Sequence, residues 1–529
     1  MKNRMIYRYI IFFLFLFIAS LSSTAGAQGP KYGGIVRIGV LFPQYNNLDG
    51  RQWLPYAFVP ANRMIYDPIF QWGAKGFEEP EPCLATHYET KDNIEWIFHL
   101  RKGVKFHNDR EMTAEDVTAN LSWRLETPKG WEPIGNKHLF RTMKKVETLE
   151  KYKVKVTMNR PFSTFPRLIT QAIHAIVPPE EAKKWNKDFW KHATGTGPFK
   201  LVIAKPNESV VLERFDGYWG PKPYIDRIEY YFIRNDDARL SALEKGEIDV
   251  AHLIDANTSD LEGNPDLAYY DWPLTGVLER LWFNHRRWPM NDNRFRMAVW
   301  MGADWKNIII DSYAHQSGKF SRTYLEFSKY FNQEAVDLVP SYNPEKAKKL
   351  IQALEKETGK KIPSINFLDA NTPIRKKQAE MAKKQLAEIG IKLKLDFHSR
   401  AIWTNSLNKD KKLKWDIGKL GSGFSADPFQ GFTHHMTDSG SGIDGKALDG
   451  YSNPDFDQWI ERAMALVEEE KIIKCYQEAE KVLLMDAANI PLHPLRQIMA
   501  FNKKVKGIKP NNLAAFYTTT TFENWWIEK

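Results

Sequence analysis

The densest collection of acid and base side chains is RKGVKFHNDREMTAEDV, residues 101–117, which brings His107, Asp109, Glu111, Glu115 and Asp116 close together. Residues of these types could serve as general acid and base or ligate a metal ion. The local pattern argues for architecture instead. Gly103 marks a break between two strands, and Asn108-Asp109 tolerates the left-handed backbone of a tight turn. Thr113 with Asp116 three residues on is a capping-box-like helix start, and Glu115 and Asp116 suit the positive end of a helix dipole. Other candidates fare similarly. The neighbouring carboxylates Glu78/Glu79 and Asp236/Asp237 would be offered as a glycosidase pair, but such enzymes hold two carboxyls a set distance apart across a cleft. They are read as solvated or capping residues. GTGPF, residues 195–199, lacks the Lys-Ser/Thr of a phosphate-binding loop and is read as a backbone turn. His434, His435 and Asp438 in GFTHHMTD would suggest a metal, yet adjacent histidines point in different directions on a helix or a strand. No metal or other cofactor is expected. A well-placed G-x-S-x-G elbow is absent, DSGSGIDG being read as a flexible loop.

The elements around these residues follow from hydrophobic period. IEWIFHLRKGVKFH alternates Trp96, Phe98 and Leu100 against Ile97, His99 and Arg101, a half-buried strand, and VKVTMNRPF is a second strand ended by Pro161. SYNPEKAKKLIQALEKETGKK has Asn343 as N-cap, Pro344 in the first turn, an apolar face of Ala347, Leu350, Ile351 and Leu354, and Gly359 past the end. YSNPDFDQWIERAMALVEEE repeats the Asn-Pro start at Asn453-Pro454. A helix stopped at Gly390 is followed by a strand with Ile391, Leu393, Leu395 and Phe397 on one face. Helix–strand alternation of this kind predicts an α/β fold with a partly parallel sheet.

Composition bounds the function. The 529 residues predict two or three domains, and 43% hydrophobic with 26% charged residues predicts a sizeable core. Lys2, Arg4 and Arg8, the apolar run YIIFFLFLFIASL and Ala25-Gly26-Ala27 read as a cleaved signal peptide over 1–27, so a periplasmic protein is expected, with no later stretch long enough to span a membrane. Cys83 and Cys475 lie far from the cleavage point, which excludes a lipidated N-terminus; they are read as two separate buried thiols, with one disulfide as the alternative. The net charge of +10 falls to +7 when the three basic residues of the signal are removed. Lys and Arg are interspersed with Asp and Glu and no basic arm is present, so no nucleic-acid partner is expected.

Several blocks together resemble the family 5 extracellular solute-binding proteins, periplasmic receptors of ATP-binding-cassette (ABC) importers for peptides and related solutes. They are EPCLATHYETKDNIEWIFHLRKGVKFHNDREMTAEDV, GTGPFKL, FDGYWGPKPYIDRIEYYFIRNDDARLSALEKGEIDVAHLI, RFRMAVWMGADWKNII, YNPEKAKKLI, LAEIGIKLKL, WDIGKLGSGFSADPF and GYSNPDFDQWI, in the family's order over essentially the whole mature chain. The resemblance implies a two-lobed periplasmic binding protein fold of the cluster C type, with hinge strands and an extra subdomain on the first lobe. It places the first lobe at 28–60, 190–284 and 496–529, the extra subdomain at 61–189 and the second lobe at 285–495. It also implies that Asp427, after Gly423-Phe424-Ser425-Ala426, pairs with a ligand's α-ammonium, Phe424 standing where Trp is usual. The alternative is that Asp427-Pro428 is a turn opening a helix. The loop after the first strand, with Tyr45, Asn46 and Asn47, would hydrogen-bond a peptide backbone or sugar hydroxyls, or be a surface turn. The expected function is capture of a solute, a di- or oligopeptide first, by a monomeric receptor that delivers it to permease and ATPase subunits at the inner membrane. An oligosaccharide, an opine-like conjugate and a nickel chelate stay open as solutes, and the reading from another class is a secreted glycan hydrolase.

Overall fold

The computed structural model describes residues 29–41, 48–51, 59–73, 76–126, 142–170, 175–253, 258–313, 319–326, 328–398, 414–423, 428–438, 447–509 and 522–528. Regular structure begins with strand β1 (Ile35–Val40) and helix α1 (Val59–Ile65). A separate antiparallel sheet follows, built from β2 (Ala85–Lys91), β3 (Glu95–Leu100), β4 (Met143–Glu150) and β5 (Lys153–Met158) in the order β2-β3-β5-β4, with helix α2 (Ala114–Leu125) packed on β4 and β5. The chain then lays down β6 (Phe199–Lys205), β7 (Ser209–Arg214), β8 (Arg227–Phe232), helix α3 (Asp236–Glu244), β9 (Val250–Leu253) and the 17-residue strand β10 (Leu267–Phe283). Helices α4 (Trp305–Ser312) and α5 (Pro344–Thr358), strand β11 (Ile365–Ala370), helix α6 (Pro373–Glu388) and strands β12 (Leu393–His398) and β13 (Ile417–Gly423) come next. Helices α7 (Pro454–Ala465) and α8 (Glu469–Met485) lead into a second long strand, β14 (Asn489–Asn502).

Ten of these strands form one sheet in the order β12-β11-β13-β10-β14-β9-β1-β8-β7-β6. Each half has a parallel centre: β1 pairs parallel with β8 and β9, and β11 pairs parallel with β12 and β13. The long antiparallel pair β10–β14 belongs to both halves. β9 covers β14 only from Phe501 to Ile498, and β13 covers β10 only from Val277 to Phe283. Between those limits the sheet narrows to β10 and β14 alone, and the register slips between Leu274 and Leu278. A two-stranded ribbon bends far more easily than a sheet flanked on both edges, and a bulge concentrates the bend. The architecture is the two-lobed binding-protein fold with hinge strands.

The local rules explain the elements. Asn343 and Asn453 accept from the backbone N–H groups of Lys346 and of Asp455 and Phe456, each just before a proline in the first turn. Gly359 supplies the left-handed residue (φ 66°) that ends α5. Along β3 Trp96, Phe98 and Leu100 are buried while Glu95, Ile97 and His99 are half-buried, as the alternation predicts. The second strand expected after Gly103 shrinks to one bridge, Lys105 with Glu111, because the turn at Asp109 (φ 65°) closes the chain back on itself.

Two large apolar clusters result. One lies under the β1 half, with Val36, Ile38, Ile65, Tyr230 and Trp525. The other is continuous from the four-stranded sheet (Trp96, Phe98, Val154) through Phe162 and Phe429 into the helix-rich half (Phe295, Ile351, Tyr476). Cys83 and Cys475 are both buried free thiols.

Candidate functional site

The sheet aims its strands at the ribbon from both sides. β9 runs antiparallel to β14 and reaches Leu253 opposite Ile498; β1, parallel to β9, ends at Val40. From the other half, β13 ends at Gly423 opposite Val277, and parallel β11 ends at Ala370. The carboxyl ends of both parallel sets therefore face the same ribbon. In open α/β sheets a ligand binds in the crevice outside such ends, where the topology switches.

Of the residues singled out from the sequence, Gly423 is the last residue of β13, beside the register slip. Phe424, Ser425 and Asp427 lie outside the described residues, as do Tyr45, Asn46 and Asn47. Their described neighbours are well anchored. Beyond Asp427 the short helix Pro428–Phe432 sets the Phe429 ring 5.1 Å from that of Phe162. Beyond Asn47, buried Leu48 offers its carbonyl to the Tyr66 hydroxyl at 2.7 Å. Asp49 takes two hydrogen bonds from the Arg51 guanidinium, at 2.8 and 2.6 Å, and that guanidinium sits over the Trp123 and Phe189 rings.

Sequence reasoning missed a charged cluster on the ribbon-facing end of the β11–β13 half. Arg375, in the first turn of α6, donates to Asp369 at the end of β11 (2.6 Å) and to Glu279 of β10. Lys419 of β13 lies 3.5 Å from Asp369 and donates to Gln378, which donates to Ser312 at 2.8 Å. The side chains of Glu279, Asp369 and Lys419 are at most 3% exposed and that of Arg375 is 11% exposed. Two cations and two carboxylates thus neutralise one another in the interior, where an isolated charge is prohibitively costly. His493, opposite Glu279 in register, is held neutral: burial, then Lys419, pushes its pKa down to about 4. A cavity of about 10 Å³ beside Asp369, Gln378 and Lys419, walled by Trp305 and Phe367, has room for about one water molecule. The cluster's charges are thus paired with one another inside the β11–β13 half. Its signal in the sequence was the presence of charges inside three otherwise apolar strands: Glu279 beside Arg280 in VLERLWF, Asp369 in INFLDA, and Lys419 in DIGKLG.

The next residue of β10, Arg280, points to the opposite face and is fully buried between the Trp282 and Tyr324 rings. It donates to His435 Nε2 at 3.0 Å, as does the Asn489 amide. Two donors on Nε2 leave the proton on Nδ1, which faces Asp449 at 3.8 Å. Burial and Arg280 push the His435 pKa well down, while burial raises that of Asp449 to about 7. His435 also stacks on Trp282, with ring centroids 5.0 Å apart. Among the described residues His435 and His434 form no metal-ligand group with Asp438.

The segment after β5 reaches the helix-rich half. Ser163 N–H donates to the Met464 carbonyl at 3.0 Å, Arg160 meets Glu461 at 3.1 Å, and Arg167 meets the Tyr330 hydroxyl at 3.1 Å and Glu469 at 3.4 Å. The stretch 101–117 does structural work. The Asp116 carboxylate accepts from Thr113 N–H at 2.8 Å and from Arg110 at 2.7 Å. His107 is half-buried, its pKa pushed down to about 4 by desolvation, its ring bracketed by Gly195 N–H (3.4 Å) and the Gly197 carbonyl (3.0 Å). GTGPF is a packed turn: a Cβ on Gly195 or Gly197 would fall 2.2 Å from the Ile65 or 2.5 Å from the Met64 carbonyl oxygen at the end of α1. Asp236 and Asp237 occupy the first turn of α3.

Residues 79–443 match the family described as bacterial extracellular solute-binding proteins, family 5 middle. A heme-binding protein A of Haemophilus influenzae is 25% identical over 492 residues, 87% of each chain. A probable D,D-dipeptide-binding periplasmic protein of Escherichia coli is 26% identical, over 82% of this chain and 83% of its own. Among solved structures, the periplasmic binding protein DppA of Helicobacter pylori in complex with the peptide STSA superposes with a TM-score of 0.82 at 22% identity, over 94% of this chain and 99% of the other. These relatives are binding proteins rather than enzymes. With its two-lobed sheet and ribbon-facing strand ends, this chain belongs to family 5 of the bacterial extracellular solute-binding proteins.

Proposed function

We propose that the protein is a monomeric periplasmic receptor that captures a di- or oligopeptide between its lobes and presents the closed form to an ABC permease with its ATPase. The observation that carries this is the convergence of the carboxyl ends of β1, β9, β11 and β13 on a ribbon only two strands wide. We assign the lobes the segments that the resemblance implies: 28–60, 190–284 and 496–529 to the first, 61–189 to its extra subdomain and 285–495 to the second. Bending at Leu274–Leu278 lets them close on the solute, excluding water and shifting the population toward the closed state. Asp427, four residues beyond Gly423, supplies the carboxylate for the peptide's α-ammonium, with Phe424 and Ser425 beside it. Tyr45, Asn46 and Asn47, after β1, bind the peptide from the other lobe. A buried ammonium needs such a partner to offset desolvation. The names of the E. coli relative and of the H. pylori structure support a peptide solute. The basic-then-apolar N-terminus supports export with cleavage near Ala27, and no described helix is long and apolar enough to cross a membrane.

The test is mass spectrometry of solute released from gently purified, then denatured, protein, with tryptophan fluorescence titration of the compounds found. Intact peptides and a saturable signal are expected. Asp427→Ala should weaken peptide binding at least about thirtyfold, the lower end of the ~2–5 kcal/mol that truncating one member of a buried charge pair costs. Recovery of sugars without free amines, turnover of the bound molecule, or unchanged affinity in Asp427→Ala would each overturn the peptide reading.

A further inference from the structure

We propose that the exposed face of the β2–β3 hairpin is a binding site for one divalent transition-metal ion of the zinc–copper class, held by His87, Glu89 and His99. The site lies on the four-stranded sheet, away from the ribbon and independent of the solute. Asp92 and Asn93, both with positive φ (54° and 53°), make the turn that joins the two strands, and the register sets His87 directly opposite His99. Glu89 is two residues from His87 and therefore on the same face of β2.

The three side chains already converge. The imidazole rings of His87 and His99 stack with centroids 4.0 Å apart and planes 12° from parallel. His99 Nε2 is 2.8 Å from Glu89 Oε1, and one ligand atom from each residue lies within 4.8 Å of the other two. Ligands of a tetrahedral zinc ion are separated by about 3.3 Å for bonds of ~2.0 Å, so small side-chain rotations close the set. Thr86 Oγ1 lies 3.0 Å from His87 Nδ1, which orients that ring and leaves Nε2 for the metal, the outer-shell support that ligating histidines usually have. Two imidazoles and a carboxylate suit zinc, copper or nickel over calcium or magnesium, with copper bound most tightly in the divalent series. Water would complete the coordination, because the face is open to solvent: residues 86–91 of this edge strand are all exposed. Lys153, opposite His99 in register, is turned to Glu150 at 2.8 Å. An ion held here would pin the edge strand β2 to β3.

The experiment uses tag-free, chelator-treated protein titrated with Zn²⁺ against a chromophoric competitor, with Cu²⁺ followed by electron paramagnetic resonance. One ion per chain is expected, with nitrogen couplings from two imidazoles in the copper spectrum and a rise in melting temperature on adding Zn²⁺. His87→Ala and His99→Ala should each lower Zn²⁺ affinity at least about tenfold, and Glu89→Gln by a smaller factor. His87 and Glu89 are exposed and His99 is half-buried, so unchanged metal-free melting temperatures will show that the variants fold. The proposal is overturned if the protein binds no Zn²⁺, if these variants bind it as the unaltered protein does, or if binding is lost instead in His434→Ala and His435→Ala.

Discussion

Residues 101–117 and the cluster around Arg375 use the same residue types to opposite effect. In the first, five acids and bases crowd ten positions, and most of them meet solvent or cap local structure. Glu111 lies on the surface, where the Tyr152 hydroxyl, Lys151 and Gly103 N–H hold its carboxyl at about 2. In the second, Glu279, Asp369, Arg375 and Lys419 come from four elements spread over 140 residues and are packed out of water. Density of charge along a sequence reports solvation. A charge inside an apolar strand reports a partner waiting elsewhere in the fold, because the interior tolerates it only when paired.

That contrast orders the expected effects of substitution. Arg375→Met should cost the most, about 3–5 kcal/mol, because it removes the cation from buried Glu279 and leaves Lys419 as the cation beside Asp369; a shift of the urea midpoint worth under ~1 kcal/mol would erase the distinction between the two clusters. Asp449 tests burial of a carboxylate without a strong ion pair. Its folded pKa of about 7 exceeds its usual 3.8, so its contribution is complete below about pH 4 and is lost as the pH climbs through 7. Denaturation of Asp449→Asn beside the unaltered protein should therefore show the variant gaining relative stability from pH 4 to 8, by a few kcal/mol at most; a pH-independent difference would contradict the assignment. Asp116→Ala removes both a cap and an Arg110 contact and should lose about 1–2 kcal/mol of stability by thermal melting. Glu111→Gln belongs to the solvated end of the comparison: it gives up the hydrogen bonds that depress this carboxyl, but in solvent it should lower stability at pH 7 by less than ~1 kcal/mol in urea unfolding.

The segment 160–167 adds a mechanical side to the contrast. Its contacts with Glu461, Met464, Glu469 and Tyr330 cross from the chain that carries the four-stranded sheet to the helix-rich half. Removing the surface pair with Glu461→Ala should change stability by less than ~1 kcal/mol. Small-angle scattering of this variant without solute should show an unchanged or slightly larger radius, and a smaller one would contradict the contacts seen here.

What the sequence determined by itself was everything set by neighbours along the chain. The caps at Asn343, Asn453 and Thr113, the left-handed Gly359, the alternation along β3 and the ordered family blocks all rest on local backbone and packing rules. The fold class followed from them, as did the demotion of His107 and GTGPF to architecture. The tertiary structure alone decided what depends on distant strands lying side by side. It narrowed the sheet to two strands between Ile498 and Val277, brought Arg375 to Glu279 across 96 residues, and turned His435 toward Arg280 and Asp449. It also set His87 against His99. Pairing of that kind is fixed by register and by the cost of burying charge, and neither is written in any short stretch of residues.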